Sequence, residues 1–138
     1  MLKISIVGLG LMGQQHLNAV NAHKRCIVSS VVDKTEIAKS LATQKGLPYY
    51  SQLKAAIKET KPDGIIIATP NFQHTEDAFT CLDYGVPILI EKPISDSLDD
   101  GVKIVNYAAK LGIPVLTGFH RRHNPIIHEI KNQLNSGL

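Results

Sequence analysis

Short apolar runs alternate along the chain with longer segments in which apolar residues recur every three or four positions. Five of these runs are rich in β-branched residues and mostly do not alternate with polar ones, which is typical of strands buried on both faces of a parallel sheet. They are residues 4–7, 27–32, 65–68, 88–90 and 115–117. A sixth run, at 48–50, is shorter and more polar, which favours an edge strand.

The segments between these runs have the period of amphipathic helices. The clearest apolar stripes are Gly13, Leu17 and Val20, then Leu98, Val102, Val105 and Ala109. Residues suited to a helix N-cap precede three of the segments, at Ser51, Asn71 and Ser97. Glycines suited to a left-handed backbone follow three, at Gly46, Gly85 and Gly112. The pattern predicts an α/β fold with a doubly wound, mostly parallel, six-stranded sheet and helices on both faces.

Residues 124–138 depart from this alternation. Asn124 and Pro125 have the cap and first-turn signature of a further helix, and Ser136-Gly137 marks its end. One face of this helix carries an apolar stripe of Ile126, Ile130 and Leu134. We therefore divide the chain into a domain at 1–123 and a helix at 124–138, and we expect that helix to lead toward a further part of a longer protein.

Residues 8–13 read Gly-Leu-Gly-Leu-Met-Gly, directly after the first strand and at the start of the first helix. In this context Gly8 permits a tight turn, Gly10 lets a diphosphate approach the backbone, and Gly13 lets the helix lie close to the strand. The helix start adds free amide donors and a partial positive charge. The turn predicts a pyrophosphate site of a dinucleotide, and the alternative is a glycine turn that binds nothing. The residues of this predicted site are Gly8, Gly10, Leu11, Met12 and Gly13.

Asp33 ends the second strand, 20 residues after Gly13. A carboxylate in this position accepts hydrogen bonds from the adenosine ribose hydroxyls and repels a 2′-phosphate, which favours NAD over NADP. Lys34 beside it could neutralise such a phosphate, so NADP stays open. The alternative role for Asp33 is a turn or capping residue before Thr35-Glu36.

Composition excludes several other classes of protein. The net charge of the 138 residues is +3, and no block of Lys or Arg exceeds two residues, which argues against a nucleic-acid or membrane surface. The two cysteines, Cys26 and Cys81, have no metal-like spacing, so we expect reduced core thiols. The N-terminus shows no signal-peptide pattern and no apolar run is long enough to cross a bilayer, so we expect a cytoplasmic protein.

Three more segments follow predicted strands at the same edge of the sheet: Thr69-Pro70-Asn71, Glu91-Lys92-Pro93, and residues 118–125. Together with the glycine turn, they resemble the motifs of the Gfo/Idh/MocA family of oxidoreductases. The resemblance spans the whole chain but only the N-terminal part of such a protein. It implies that 124–138 leads into a second, substrate-binding domain, which in this family often forms the oligomer interface.

The resemblance implies a catalytic role for Lys92, which corresponds to a lysine that contacts the nicotinamide ribose and the substrate hydroxyl. A cation there would stabilise the alkoxide that develops as hydride leaves carbon. The alternative is a surface lysine before a turn. The family pattern also implies a cis Lys92–Pro93 bond. Glu91 either orients Lys92 or the ribose, or has a structural role.

The remaining motif residues carry open alternatives. The resemblance implies that Thr69, Pro70 and Asn71 lie along the cofactor, with Asn71 either bonding the ribose or capping its helix. His74 either reaches the cleft or only packs, and Arg121 lies where the family segment lines the nicotinamide end. His120 and His123 have a metal-like spacing, but no further ligand completes a site, so we expect no metal. We interpret His16 as structural.

Family dehydrogenases take a general base from an Asp-x-x-x-His motif, which these 138 residues lack. We therefore expect the whole protein to be an NAD(P)-dependent dehydrogenase of a sugar, polyol or related secondary alcohol, and to be a homo-oligomer. We expect the 138 residues alone to bind cofactor with little or no turnover. One alternative is a non-catalytic dinucleotide sensor of the same fold. Another, an S-adenosylmethionine methyltransferase, is disfavoured by the glycine spacing and the Glu-Lys-Pro motif.

Overall fold

The computed structural model describes residues 1–137, so Leu138, the last residue of the predicted 124–138 segment, lies outside them. The strands are β1 (Leu2–Val7), β2 (Cys26–Val32), β3 (Tyr49–Tyr50), β4 (Gly64–Ile67), β5 (Ile88–Ile90) and β6 (Val115–Thr117). The α-helices are α1 (Leu11–Ala22), α2 (Glu36–Gln44), α3 (Leu53–Thr60), α4 (Asn71–Asp83), α5 (Leu98–Leu111) and α6 (Pro125–Asn135). A 3-10 helix, His120–His123, connects β6 to α6.

The strands of residues 1–137 form one sheet with the order β3-β2-β1-β4-β5-β6, and every neighbouring pair is parallel. This is the doubly wound arrangement. Strands β1 to β3 follow one another toward one edge of the sheet, and the chain then returns to β4, beside β1, and continues toward the other edge. The predicted fold class is confirmed, and the polar run at 48–50 supplies β3 at one edge. No helix in the described part of the chain is both long and apolar enough to span a bilayer.

The larger of the two cores lies on the face of the sheet covered by α3, α4 and α5. Strand residues such as Val7, Ile67 and Ile90 pack there against Leu82 and Ile104 from the helices. A smaller core, formed by Ile6, Leu9, Leu17, Val31, Ala38 and Ala42, joins α1 and α2 to the opposite face. The central β-branched runs are therefore largely buried, as the sequence pattern predicts, whereas the run at 115–117 is not, because Leu116 is 63% exposed.

On the face that carries α1, the strand residues become more exposed to solvent from the centre of the sheet toward β6. Ile6, Ile66, Leu89 and Leu116 are paired in register across four strands, and we call them the apolar row. Ile6, beneath α1, is 0% exposed, whereas Leu116 on β6 is 63% exposed. The β6 end of this face is therefore an open apolar surface.

Two serines sit inside the sheet, which the apolar pattern did not reveal. Ser5 on β1 and Ser30 on β2 are fully buried, and their hydroxyl oxygens are 2.5 Å apart. A second hydroxyl contact, 3.1 Å, joins Ser5 to Ser29. The pairing register of β1 and β2 shifts between Ile4 and Ser5. The buried hydroxyls thus provide one another's hydrogen-bond partners at an irregular point of the sheet.

Two of the predicted N-caps are wrong by one residue. The N-cap of α3 is Gln52 instead of Ser51, and that of α4 is Pro70 instead of Asn71, with no side-chain cap bond at either. Because proline already has the restricted φ of the residue that enters a helix, α4 starts at Asn71 without a polar cap. Asn71 therefore does not cap its helix.

Other helix ends follow the prediction. Ser97 accepts a hydrogen bond from the amide of Asp100, and Asn124 accepts one from Ile126 ahead of Pro125. The predicted terminal glycines all have positive φ, at Gly46, Gly85, Gly112 and Gly137. The unexpected end is that of α3, where Lys61 adopts the left-handed conformation with φ 45°.

We predict that Ile104→Ala destabilises the domain by about 2–5 kcal/mol, because Ile104 is fully buried in the larger core. Ile37→Ala, at a position that is 83% exposed on α2, is the control and should change stability by no more than about 0.5 kcal/mol. Urea unfolding followed by circular dichroism measures both. Equal effects of the two substitutions would contradict the described core.

Candidate functional site

The candidate site lies at the carboxyl ends of the strands, where β1 and β4 are neighbours and the strand order reverses. The glycine turn follows β1 there, and Thr69 follows β4. The two segments touch, because the amide of Ala68 donates a 2.7 Å hydrogen bond to the carbonyl of Val7. Ligands of doubly wound folds bind in the crevice at this switch point.

The three glycines of the turn differ in what surrounds them. Gly8 has φ +86°, and a Cβ on it would lie 2.6 Å from the carbonyl oxygen of Ala68. A Cβ on Gly13 would overlap the carbonyl oxygen of Gly8. Around Gly10, by contrast, no atom of the described chain other than those of Gly10 and its two chain neighbours lies within 4 Å of the Cβ position. Packing of the chain explains the first and third glycines, whereas the second faces open space.

The start of α1 lies at this open space. Gly10 is the N-cap and provides no side-chain bond, and the first turn carries no acidic residue. The amides of Leu11, Met12 and Gly13 belong to the helix start, where the backbone offers donors that have no acceptor in the preceding turn. The side chain of Leu11 points to solvent and that of Met12 is half-buried. This arrangement suits an anion.

The carboxylate of Asp33 holds the glycine turn to the start of α2. Its Oδ2 accepts a 2.7 Å hydrogen bond from the amide of Leu9, and its Oδ1 accepts bonds of 2.8 Å from both the amide and the hydroxyl of Thr35. Partial burial would raise the pKa of Asp33, but the hydrogen bonds from Leu9 and Thr35, together with the nearby Lys34 amide, outweigh it and lower that pKa. The turn-capping role is therefore present in the structure.

That role leaves room for a ligand. A carboxylate offers about four acceptor positions, and three bonds to Asp33 are described. The side chain is half-buried, with Lys34 exposed beside it. Asp33 can thus accept a further hydroxyl donor while it stabilises the turn.

Side chains of α4 hold the segment that follows β4. The Thr69 hydroxyl donates to Oδ2 of Asp77 at 2.8 Å, and Pro70 and Asn71 are exposed. His74 is fully buried, with Nε2 2.8 Å from the Thr69 oxygen and Nδ1 2.8 Å from the Pro93 oxygen. The burial of its ring favours the packing role over a direct contact in the cleft.

The segment after β5 contains a buried carboxylate–imidazole contact that sequence reasoning missed. Glu91 is 7% exposed, and its Oε1 lies 2.7 Å from Nε2 of His16 on α1. Its Oε2 accepts a 3.3 Å bond from the amide of Lys92, and its carboxylate lies against Gly118, where a Cβ would come within 2.8 Å. Glu91 therefore faces the interior and His16, and the only signal in the sequence was that Glu91 belongs to the Glu-Lys-Pro motif.

Lys92 itself is exposed at the same sheet edge, and the Lys92–Pro93 bond is cis, as the resemblance implies. Arg121 is exposed on the 3-10 helix after β6, and the Arg122 guanidinium lies over the ring of Phe119 at 4.8 Å. His120 and His123 are also exposed there. Among residues 1–137, no three or more His, Cys, Asp or Glu side chains are grouped to hold a metal ion.

The sheet edge thus presents three kinds of chemistry in order across neighbouring strands. Asp33 at the end of β2 is a hydroxyl acceptor, the amides after β1 suit a diphosphate, and Lys92 at the end of β5 is a cation. A ligand that spans them has a hydroxylated ring, then a diphosphate, then a second hydroxylated ring that can accept a hydrogen bond from an ammonium. A dinucleotide has this order of groups.

We predict that Asp33→Asn lowers stability at neutral pH and that its effect shrinks in acid. The folded pKa of Asp33 is lowered, so its contribution is complete above the unfolded value, about 3.9, and is lost as pH falls through the folded pKa. Urea unfolding of both proteins from neutral pH downward measures this. Asp96→Asn, at an exposed position, is the control. A difference between wild type and Asp33→Asn that does not vary with pH would contradict the assignment.

Comparison with known proteins agrees with this geometry. Residues 2–119 match the Gfo/Idh/MocA family model, described as an oxidoreductase family with an NAD-binding Rossmann fold. The chain is 28% identical to inositol 2-dehydrogenase of Mycolicibacterium smegmatis over 140 residues, which cover 99% of this chain and 41% of that protein. It therefore spans about two fifths of the length of such curated relatives.

Solved structures show the same fold. An NAD-binding protein from Listeria innocua superposes with a TM-score of 0.82 at 31% identity, over 88% of this chain and 36% of that one. Scyllo-inositol dehydrogenase from Lactobacillus casei, with bound NAD(H) and scyllo-inositol, superposes with a TM-score of 0.92 at 20% identity, over 99% of this chain and 42% of that one. The sheet order, the glycine turn and the match over residues 2–119 together show that the chain belongs to the Gfo/Idh/MocA family of oxidoreductases, with its NAD-binding Rossmann fold.

Proposed function

We propose that these residues are the cofactor-binding domain of an NAD-dependent dehydrogenase that transfers hydride between nicotinamide and a secondary alcohol of a polyol, sugar or related compound. The observation that carries the proposal is the open space at Gly10 beside the uncapped start of α1. Packing inside the described chain gives no reason for a glycine there, whereas a diphosphate against the backbone does. The polyol class is supported by relatives named inositol 2-dehydrogenase.

The residues present fit NAD. The amides at the start of α1, including those of Leu11 and Met12, would hold the diphosphate, and the remaining acceptor position of Asp33 would take a ribose hydroxyl. The Asp33 carboxylate, whose pKa lies below its ordinary acidic value, is ionised at neutral pH and would repel a 2′-phosphate. This favours NAD, although the exposed Lys34 leaves some tolerance for NADP. When bound, the nicotinamide supplies the hydride donor or acceptor.

The other motif residues have proposed positions along the cofactor. Thr69, Pro70 and Asn71 would lie beside it after β4, and Arg121 would lie at its nicotinamide end after β6. With its capping role excluded, Asn71 has an exposed amide that is free to bond the ribose. Glu91, held by His16 and the Lys92 amide, would act on Lys92 through the turn and not on the ribose.

Lys92 is the proposed catalytic residue. Its ammonium would contact the substrate hydroxyl and stabilise the negative charge that grows on that oxygen as hydride leaves carbon. An ammonium cannot also accept the hydroxyl proton, so a separate general base is required. No Asp-x-x-x-His motif occurs in residues 1–138. We propose that the base comes from a second domain of the whole protein.

The exposed apolar surfaces support a second domain. The β6 end of the apolar row is open, and α6 exposes Ile126, Ile130 and Leu134. Several exposed large apolar side chains on one element are characteristic of an interface. We propose that 124–138 connects the domain to a substrate domain, and that the whole protein is a homo-oligomer. The chain spans 41% of the M. smegmatis relative, so the proposal leaves room for such a domain.

We predict that Gly10→Ala weakens NADH binding about 10-fold or more, because its methyl group would occupy the space of the diphosphate. The same substitution should lower stability by no more than about 1 kcal/mol, the difference between glycine and alanine at an N-cap. NADH fluorescence titration and urea unfolding measure the two effects. An unchanged affinity of Gly10→Ala for NADH would contradict a diphosphate site at this turn.

Gly13→Ala is the matched comparison. Its methyl group would overlap the Gly8 carbonyl, so this variant should lose stability as well as binding. S-adenosylmethionine, which has no diphosphate, should not displace NADH from the wild-type chain. Displacement by S-adenosylmethionine would favour a methyltransferase instead.

We also predict that the 138-residue chain binds NADH but produces none from NAD and myo-inositol, because Lys92 alone cannot remove the hydroxyl proton. Absorbance at the NADH band over hours, with NADH binding as the positive control, tests this. Robust NADH production by this chain would overturn the need for a base from another domain.

A further inference from the structure

Both ring nitrogens of His74 face carbonyl oxygens. Nδ1 lies 2.8 Å from the backbone oxygen of Pro93, and Nε2 lies 2.8 Å from that of Thr69. A carbonyl oxygen only accepts hydrogen bonds, whereas a neutral imidazole has one donor nitrogen and one acceptor nitrogen. A neutral ring would therefore point a lone pair at one of the two oxygens. Only the imidazolium, with a proton on each nitrogen, donates to both.

The surroundings can support this buried charge. His74 is 0% exposed, and a buried cation requires hydrogen bonds and a nearby anion. Asp77 lies one turn further along α4 and accepts the Thr69 hydroxyl at 2.8 Å. The pKa of the Asp77 carboxyl is raised by its burial and by Glu76, and the Thr69 hydroxyl, His74 and Lys34 oppose this rise. A cation at His74 thus stabilises the Asp77 carboxylate, and the carboxylate stabilises the cation.

The two oxygens belong to different loops of the site. Thr69 follows β4 and lies against the glycine turn, since a Cβ on Gly8 would come within 2.8 Å of the Thr69 amide. Pro93 follows β5 and is the neighbour of Lys92. His74, from the helix beneath, is bonded to both. Its ring therefore joins the loop beside the diphosphate site to the turn that carries Lys92.

We infer that His74 is a buried imidazolium that clamps the Lys92–Pro93 turn to the Thr69 loop and thereby positions the Lys92 ammonium at the sheet edge. His74 is a positioning residue, because its ring is enclosed and acts on Lys92 only through the Pro93 carbonyl. The importance of that position for hydride transfer rests on the proposed function. The protonation of the ring and the clamp do not.

The protonation is tested on the wild-type chain by long-range ¹H–¹⁵N correlation of the histidine rings at neutral pH. We expect protons on both ring nitrogens of His74, in slow exchange with water because the ring is enclosed. The exposed rings of His23, His120, His123 and His128 provide the comparison. His74 is assigned by through-bond connection to its backbone, so no variant is needed. An unprotonated ring nitrogen at His74 would overturn the inference.

Two substitutions separate a clamp on Lys92 from a general packing role. The Gln side-chain amide nitrogen lies close to the place of ring Nε2, so His74→Gln keeps a donor toward Thr69 and loses the bond to Pro93. His74→Asn places its amide nitrogen near ring Nδ1, so it keeps the bond to Pro93 and loses the one to Thr69. Each variant loses one bond of the pair.

The readout is the NMR signal of ¹³C-methylated Lys92 in the nucleotide-free chain, assigned by its absence from Lys92→Arg. We expect His74→Gln to shift this signal and His74→Asn to leave it near the wild-type position. His128→Gln, on the exposed face of α6, is the control and should not move it. Equal shifts in the Gln and Asn variants, or none in either, would overturn the positioning role. If neither variant folds, the ring protons of the wild-type chain decide the clamp.

These readouts are independent of nucleotide binding. A wild-type chain that fails to bind NADH but shows both His74 protons refutes the proposed function and leaves the clamp intact. A chain that binds NADH but has a neutral His74 ring refutes the clamp and leaves the proposed function intact. The two failures are therefore distinguishable.

Discussion

Helix α1 can approach the end of β1 only because Gly13 has no side chain. The carbonyl oxygen of Gly8 occupies the space that a Cβ on Gly13 would need, and Gly8 in turn is pressed against the backbone after β4. These backbone contacts join β1, α1 and β4 at the point where the strand order reverses. The direction in which the amides of α1 point, and the position of every other group relative to them, follow from this close packing.

The architecture could be predicted because burial on both faces leaves continuous apolar strands, and the runs at 65–68 and 88–90 became β4 and β5. The first residues of α3 and α4 could not be predicted in this way. A cap depends on the backbone conformation of the preceding loop, and at Pro70 the proline ring itself supplies that conformation. The left-handed Lys61 is a similar case, since a residue without glycine's freedom gave no local signal.

The predicted site residues that follow strands could be placed at one edge of the sheet, because parallel strands bring their carboxyl ends to the same edge. Their partners could not be predicted. Glu91 and His16 are 75 positions apart, and nothing local to either shows that one ring meets one carboxylate. The two carbonyl partners of His74 are likewise a property of the folded loops. The sequence showed which residue types with suitable chemistry follow the strands. The hydrogen bonds that orient their side chains could be seen only in the three-dimensional structure.

The edge strand β3 consists of two residues, yet it has a consequence for the acid at the end of β2. The Tyr49 hydroxyl donates a 2.6 Å hydrogen bond to the backbone oxygen of Asp33, whose carboxylate is held from the other side by Leu9 and Thr35. Main chain and side chain of this acid are thus both immobilised by folding. A ligand that meets Asp33 finds a preorganised acceptor, and the entropic cost of ordering it does not weaken the affinity.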